Sequence, residues 1–204
     1  MLYKKYFKTL FDYVFAITLL FASFPATTII IFLQFILNDK QIFYIQRRHT
    51  KNLREFDLYK FKTMREIYDA QGFLKPDNER LTSFGKILRA LKLDEIPNLI
   101  NVLRGEISFV GPRPLPVAYT SLLSEEQKKR YSVKSGITGL AQSNKQITLS
   151  WNHRIKLDLV YIQNITFFGD LKILISTIFF LSRHKVINEF EGKSIDTYKP
   201  NFND

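Results

Sequence analysis

The sequence predicts an α+β fold, mostly helical. A re-entrant membrane helix–break–helix covers residues 1–40, and a compact domain with amphipathic interfacial helices covers residues 41–204. Three observations carry that expectation. An uncharged run, Tyr13–Leu37, is about 25 residues long, enough to cross a bilayer core as a straight helix. Pro25 lies inside it and, lacking an N–H, breaks or kinks a helix. Downstream, apolar residues at helical spacing alternate with turn-forming clusters.

Positive charge flanks both ends of the apolar run: Lys4, Lys5 and Lys8 before it, Lys40, Arg47, Arg48 and Lys51 after it. A span favours positive charge on one side, so matched flanks fit a hairpin that dips into one leaflet and returns. The competing reading is an ordinary kinked span. The run is too long for a signal peptide, and no small-residue cleavage site closes it. Asp12, where the chain enters the membrane, is expected to pair with Lys8 one helical turn earlier. Phe56–Met64 alternates in places and reads as a strand leading into a turn. Glu66–Arg80, with Gly72, Pro76, Asp77 and Asn78, reads as a loop. In Ser83–Leu93 the apolar Phe84, Ile87, Leu88 and Leu91 fall at i, i+3, i+4 and i+7, with Lys86, Arg89 and Lys92 between them. That is an amphipathic basic helix, suited equally to an anionic membrane surface and to packing on a core. Helices are also expected at Ile96–Leu103 with Gly105 as the stop, at Glu125–Tyr131, and at Trp151–Asn164. The apolar Leu171–Ser182 is a buried or interfacial helix, short for a span.

Lys and Arg number 30 against 19 Asp and Glu, a formal charge of +11, which points to a polyanionic partner. Nucleic acid is not the expected one, because the basic residues are dispersed, no nucleic-acid motif appears, and the apolar run would be unexplained. With no cysteine, disulfides and thiolate metal sites are excluded. His49, His153 and His184 are far apart and read as surface or packing residues. No Gly-rich segment ends in Gly-Lys-Ser/Thr and no GxGxxG occurs, so neither common nucleotide loop is supported.

The chemistry concentrates at Leu93-Asp94-Glu95-Ile96-Pro97. Asp94 precedes a helical pattern whose first turn tolerates Pro97. A helix N-terminus keeps a carboxylate ionised and welcomes phosphate. An ionised carboxylate can attack phosphorus, and an adjacent Glu95 can help hold Mg²⁺. The plainer reading makes Asp94 an N-cap and Glu95 a first-turn acid, and from these residues alone it is the stronger one. Further on, Gly111-Pro112-Arg113-Pro114 sets an arginine between two prolines. A guanidinium held in a fixed direction suits bidentate phosphate binding, and a rigid surface turn explains the same residues.

The stretch LRALKLDEIPNLINVLRGEISFVGPRP resembles the signature of the bacterial sugar transferase family, the monotopic polyprenyl-phosphate phosphoglycosyl transferases that start glycan assembly. The resemblance extends over nearly the whole chain. It takes in Lys8 and Asp12, the proline-broken apolar run, Gln46 and Arg48, Tyr59–Arg65, Phe84–Arg89, Gly136–Gln142, Trp151 and Asp158–Ile173. It implies that Asp94 attacks the β-phosphate of a UDP-sugar and expels UMP, forming a covalent aspartyl phosphosugar that polyprenyl (undecaprenyl) phosphate then resolves. Glu95 would assist, and Asp94 and Glu95 would hold Mg²⁺. Lys60, Lys62, Arg89 and Arg113 are the expected phosphate and nucleotide contacts. Pro25 would be the structural break, residues 41–204 the catalytic domain on the cytoplasmic face of the inner membrane, and anionic lipids a further partner. The length resembles the small members that carry only the catalytic domain.

The chain departs from the family pattern in places. Lys8-Thr9 stands where Lys-Arg is usual, Phe24 rather than Ser precedes Pro25, and Ser135 replaces a common Pro before Gly136. The run Gln142-Ser143-Asn144-Lys145-Gln146 lacks the Arg expected at Gln146, and Lys145 is the nearest substitute for its charge. The alternative to catalysis is a basic membrane-tethered binding protein, which gives no reason for the Asp94–Glu95 dyad beside Gly111–Pro114.

Overall fold

The computed structural model describes residues 2–37, 40–144 and 150–183. Lys145, Gln146 and His184 lie outside the described residues, as do residues 147–149. The chain is mostly helical with little sheet. A π-helical turn, Tyr3–Phe7, leads into α1, Lys8–Leu37. This is the one helix, among the described residues, long and apolar enough to cross a membrane. Two helices with a break between them were expected here, but the helix runs without interruption through Pro25. A proline removes one backbone hydrogen bond and leaves its neighbours' bonds intact, so it can bend a long apolar helix without ending it.

Next come β1, Phe43–His49, and β2, Glu55–Phe61, paired antiparallel from Phe43 opposite Phe61 to His49 opposite Glu55. The expected strand is β2. Its partner was not foreseen, because the sequence of β1, with Gln46, Arg47 and Arg48 in succession, has no apolar alternation. Asn52 and Leu53 turn the hairpin in left-handed conformations. The loop that follows ends in one turn of helix, α2, Asp77–Arg80. Helix α3, Ser83–Ala90, is capped by Thr82, whose Oγ1 accepts from the Gly85 N–H at 2.9 Å. A Cβ on Gly85 would meet the Thr63 carbonyl oxygen at 2.1 Å, so only glycine lets α3 lie this close to the end of β2. Of its apolar stripe, Leu88 enters the core, while Ile87 and Leu91 are exposed.

A 3₁₀ turn, Leu93–Glu95, precedes α4, Asn98–Leu103, which Gly105 ends at φ +70°. Strands β3, Ser108–Val110, and β4, Gly136–Thr138, pair in parallel. Between them lie two 3₁₀ segments and α5, Glu125–Lys128, the latter with a complete capping box from Ser124 and Gln127. Helices α6, Trp151–Gln163, and α7, Phe167–Arg183, close the described chain.

The main core joins Ala16 of α1 to Phe56, Leu58, Leu99, Val102, Ile107, Phe109, Val110, Tyr161 and Ile173. Polar contacts fix α1 at both ends. Lys8 Nζ meets Asp170 Oδ2 at 2.5 Å, and Asp12 Oδ1 accepts from Ser108 Oγ and the Phe109 N–H, each at 3.0 Å. Among the described residues Lys8 and Asp12 form no direct ion pair, although the Lys8 charge still acts on Asp12. Both side chains point into the protein, where each finds a partner on another element that an isolated helix cannot offer. At the far end Gln34 Nε2 donates to the Lys62 carbonyl at 2.6 Å, and Arg65 Nη2 donates to the Leu37 carbonyl. Between these anchors Ile17, Phe21, Phe24, Ile29 and Phe32 are exposed.

Candidate active site

The site begins with the turn between α3 and α4. Lys92 takes a left-handed conformation at φ +55°, which reverses the chain after α3 and starts the Leu93–Glu95 turn. Asp94 is buried, at 7% exposure. It does not cap α4: Pro97 precedes that helix, and no side chain caps it. Among the described residues, Asp94 Oδ1 has no hydrogen-bond partner. The capping explanation of Asp94 thus fails. So does the explanation from a helix N-terminus, because α4 has only six residues and a 3₁₀ turn intervenes.

Strand β2 supplies the first cation. Its period of two sets Lys60 on the same face as the buried Phe56 and Leu58, toward the Leu93–Glu95 turn. Lys60 Nζ reaches Glu95 Oε1 at 2.5 Å. The strand stops at Phe61, and Lys62 turns elsewhere, bonded to Gln41 and to Glu66 Oε1 at 2.8 Å. Arg89 on α3 is near enough for its charge to act on Asp94, with its Nε donating to Thr63 Oγ1 at 2.9 Å.

Arg113 comes from a loop braced from several directions. The Gly111 N–H donates to the Thr138 carbonyl, and the Gly136 N–H to the Pro112 carbonyl, each at 2.9 Å. A Cβ on Gly136 would lie 2.1 Å from the Gly111 nitrogen, and one on Gly139 would lie 2.2 Å from the Gly111 oxygen. The glycines of GITG and of GPRP therefore answer one requirement, close approach of two backbones. Two further arginines hold the next carbonyls: Arg130 Nη2 donates to Arg113 O and Arg48 Nη1 to Pro114 O, each at 2.8 Å. Arg130 is in turn paired with Asp158 at 2.6 Å, and both are almost fully buried. The Arg113 guanidinium is left with no ion pair among the described residues.

The charges act on the two carboxylates in opposite directions. Burial pushes the Asp94 carboxyl up and the Glu95 charge adds to the push, against Lys60, Lys92 and Arg89. Burial also raises Glu95, but Lys60 and Arg113, with Lys92 behind them, outweigh it and bring Glu95 down to about 2. Two adjacent carboxyls with separated affinities for protons suit different roles, one a firmly held anion and the other the more basic, more nucleophilic group.

Of the sequence-predicted residues, the structure brings together Asp94, Glu95, Lys60, Arg89 and Arg113, and it engages Lys62 outside that cluster. Sequence reading assigned no role to Arg48, Arg130 or Asp158. A signal for Asp158 was present, since it falls on the buried stripe of α6 between Ile155 and Tyr161, where an acid needs a buried partner. Among the described residues no three His, Asp or Glu side chains form a metal cage. Mg²⁺ needs none, because it binds through one or two carboxylates plus substrate phosphates. The orphaned Asp94 Oδ1 and the adjoining Glu95 fit that donor set.

The chain resembles known proteins over most of its length. The family model described as bacterial sugar transferase matches residues 3–184. An uncharacterized sugar transferase of Bacillus subtilis strain 168, EpsL, is 44% identical over 174 residues, covering 84% of this chain and 85% of that one. The exopolysaccharide production protein ExoY of Sinorhizobium fredii is 34% identical over 188 residues, covering 84% and 83%. A UDP-glucose:undecaprenyl-phosphate glucose-1-phosphate transferase of Xanthomonas campestris pv. campestris is 37% identical over 149 residues, covering 67% of this chain and 30% of the larger protein. A match that runs from the π-turn before α1 to the end of α7 takes in every element that builds the site, and the chain therefore belongs to the bacterial sugar transferase family and is a transferase enzyme.

Proposed function

We propose that the chain transfers a sugar 1-phosphate from a UDP-sugar to polyprenyl phosphate, with Asp94 as nucleophile. The observation that carries this is a buried carboxylate oxygen with no partner, set among Lys60, Lys92 and Arg89. A structural acid would be hydrogen-bonded; an attacking oxygen must be free. In the first step an Asp94 oxygen forms a bond to the β-phosphorus, and the bond from that phosphorus to the bridging oxygen breaks. UMP leaves with the electron pair. In the second step an oxygen of polyprenyl phosphate attacks the same phosphorus, the aspartyl–phosphorus bond breaks, and Asp94 returns as a carboxylate. Lys60 and Arg113 stabilise charge on the phosphoryl oxygens, and Glu95 keeps Lys60 in place. Mg²⁺, held by Asp94 and Glu95, would neutralise charge on the pyrophosphate. The relatives named as UDP-sugar:undecaprenyl-phosphate transferases support the substrate classes.

A place for the site at the inner membrane is supported by α1. Both of its ends rest on one body, while its middle is apolar and exposed. A helix anchored in this way supports a re-entrant insertion that returns to the cytoplasmic side. Cysteines placed at Lys5 and Lys51 should both label from the cytoplasm, and labelling of either from outside would overturn the topology. For the reaction, a panel of UDP-sugars is incubated with the purified chain, Mg²⁺ and undecaprenyl phosphate, and UMP is measured. At least one sugar should release UMP, and without acceptor the intact mass of the protein should rise by one phosphosugar. Intersecting kinetic lines with no mass increase would remove the nucleophile role from Asp94.

A further inference from the structure

The cations around the dyad divide by what already holds them. Lys60 is on Glu95, Arg89 on Thr63, and Lys62 on Glu66 and Gln41. Arg48 is different. It stands near the end of β1, where the strand bridges to Pro116 and its guanidinium reaches the Pro114 carbonyl, next to Arg113. Its Nη2 donates to Gln46 Oε1, and its Nε is buried with no partner among the described residues. Neither Arg48 nor Arg113 has a carboxylate ion pair among the described residues. Burial and the Arg113 charge push the Arg48 guanidinium down to about 10, with the Glu95 charge acting the other way. The two guanidinium charges oppose one another, and a bound phosphate would relieve that opposition.

We infer that Arg48 and Arg113 together seat one phosphate group, the neighbour of the phosphoryl group that Asp94 attacks. The position favours this phosphate over the attacked one. Arg113 acts on Glu95 and Arg48 feels Glu95, while the cations that act on Asp94 are Lys60, Lys92 and Arg89. In the transfer reaction on which this inference rests, the neighbour is the nucleotide phosphate that departs in UMP. A phosphate dianion from the acceptor lipid has the same chemistry and is separated by experiment.

Arg48→Gln should raise KM for the UDP-sugar about tenfold or more, the scale of losing one charge-assisted contact, with KM for undecaprenyl phosphate changed less than about twofold. A rise in the acceptor KM alone would assign the seat to the lipid phosphate and overturn the nucleotide assignment. No change in either, at unchanged melting temperature, would overturn the seat. Arg48→Lys keeps a charge and a donor for Pro114 O, so it should fold normally and lose less than Arg48→Gln. To separate contact from positioning, Arg48→Gln is added to Arg113→Ala. A further loss supports a direct contact, whereas no further loss means that Arg48 acts only by placing the loop, and the seat is wrong. Calorimetric binding of inorganic pyrophosphate to the full-length chain, wild type against Arg48→Gln, tests the seat without turnover. Weaker binding by about tenfold in the variant supports it even if no UDP-sugar in the panel yields UMP, a result that would count against the transfer reaction alone.

Discussion

Asp158 and Asp94 are both buried acids within one small protein, and they are treated in opposite ways. Asp158 sits on α6 with the Arg130 guanidinium at 2.6 Å, and that guanidinium passes on to the Arg113 carbonyl. Burial pushes the Asp158 carboxyl up, and Arg130's charge and hydrogen bond pull it back. Asp94 sits on a turn with an oxygen that has no hydrogen-bond partner among the described residues, and the group adjoining it in sequence is another acid. The brace spends its interactions on fixing a loop, while the dyad leaves an oxygen unsatisfied and is held by surroundings it does not help to stabilise. The difference teaches how to tell a structural acid from a reactive one where burial alone does not: the structural acid has its partner, and the reactive one keeps its place without one.

The comparison breaks first at Asp94. Asp94→Asn should abolish adduct formation and lower turnover by roughly 10³-fold or more, as loss of a nucleophile does. It should also leave the protein as stable or more stable, by on the order of 1 kcal/mol at neutral pH, since a buried unpaired charge beside Glu95 is removed. The sign can be followed with pH. A carboxyl raised in the folded state costs nothing where it is protonated in both states, and stability falls as pH rises through its folded value. The gain in melting temperature for Asp94→Asn should therefore be small in acid and grow toward pH 7. A variant less stable than wild type at pH 7 would make Asp94 a structural acid after all.

Asp158→Ala should do the reverse. It leaves Arg130 buried without its counter-charge and should cost about 3–5 kcal/mol of stability. Chemical denaturation checks this, and a cost under about 1 kcal/mol would mean that the brace is not a brace. Activity should fall through displacement of Arg113, so UDP-sugar KM should move before adduct chemistry is lost. A smaller effect is expected at Arg113 itself. Arg113→Lys keeps the charge and loses the planar fork, and kcat/KM should drop about tenfold. A variant nearly as active as wild type would remove the arginine from pyrophosphate binding.

The helices around the site could be read from sequence, the Arg130–Asp158 brace could not, and the dyad could be read only in part. Helical spacing marked α3, α4, α6 and α7, and glycine marked the end of α4, because periodicity and φ preference are local properties. Strands β3 and β4 escaped notice: three residues each, buried, they carry no alternation, and what pairs them is the approach of Gly111 to Gly136 across distant sequence. Lys60 and Lys62 were both expected as phosphate contacts through the family resemblance, but the strand ends at Phe61 and Lys62 turns to Gln41 and Glu66. Lys8 and Asp12 were paired by helix geometry, and a tertiary partner outbid that pairing on each side. Asp94 showed the limit most plainly. In sequence a capping acid and a nucleophile look alike, and only the absent capping bond separates them.

The finest test of the comparison is the acid limb of the first half-reaction. Adduct formation requires Asp94 as a carboxylate, so its rate should fall below a midpoint that lies above the ordinary carboxyl value of 3.8. Glu95, held at about 2, stays ionised throughout that range and should add no second limb above it. Glu95→Gln removes the like charge beside Asp94, so the limb should move to lower pH even as turnover slows. It should not return fully to the ordinary value, because burial is the larger cause of the shift and burial remains. Rapid-quench adduct measurement, with melting temperature followed in parallel, separates titration from acid unfolding. A limb that stayed in place in Glu95→Gln would mean that the two carboxylates do not influence each other, and a limb at or below 3.8 in the wild type would mean that Asp94 has a partner after all. The first result would leave burial as the cause of the shift, and the second would place Asp94 among the satisfied acids and return the search for a nucleophile to the remaining side chains of the site.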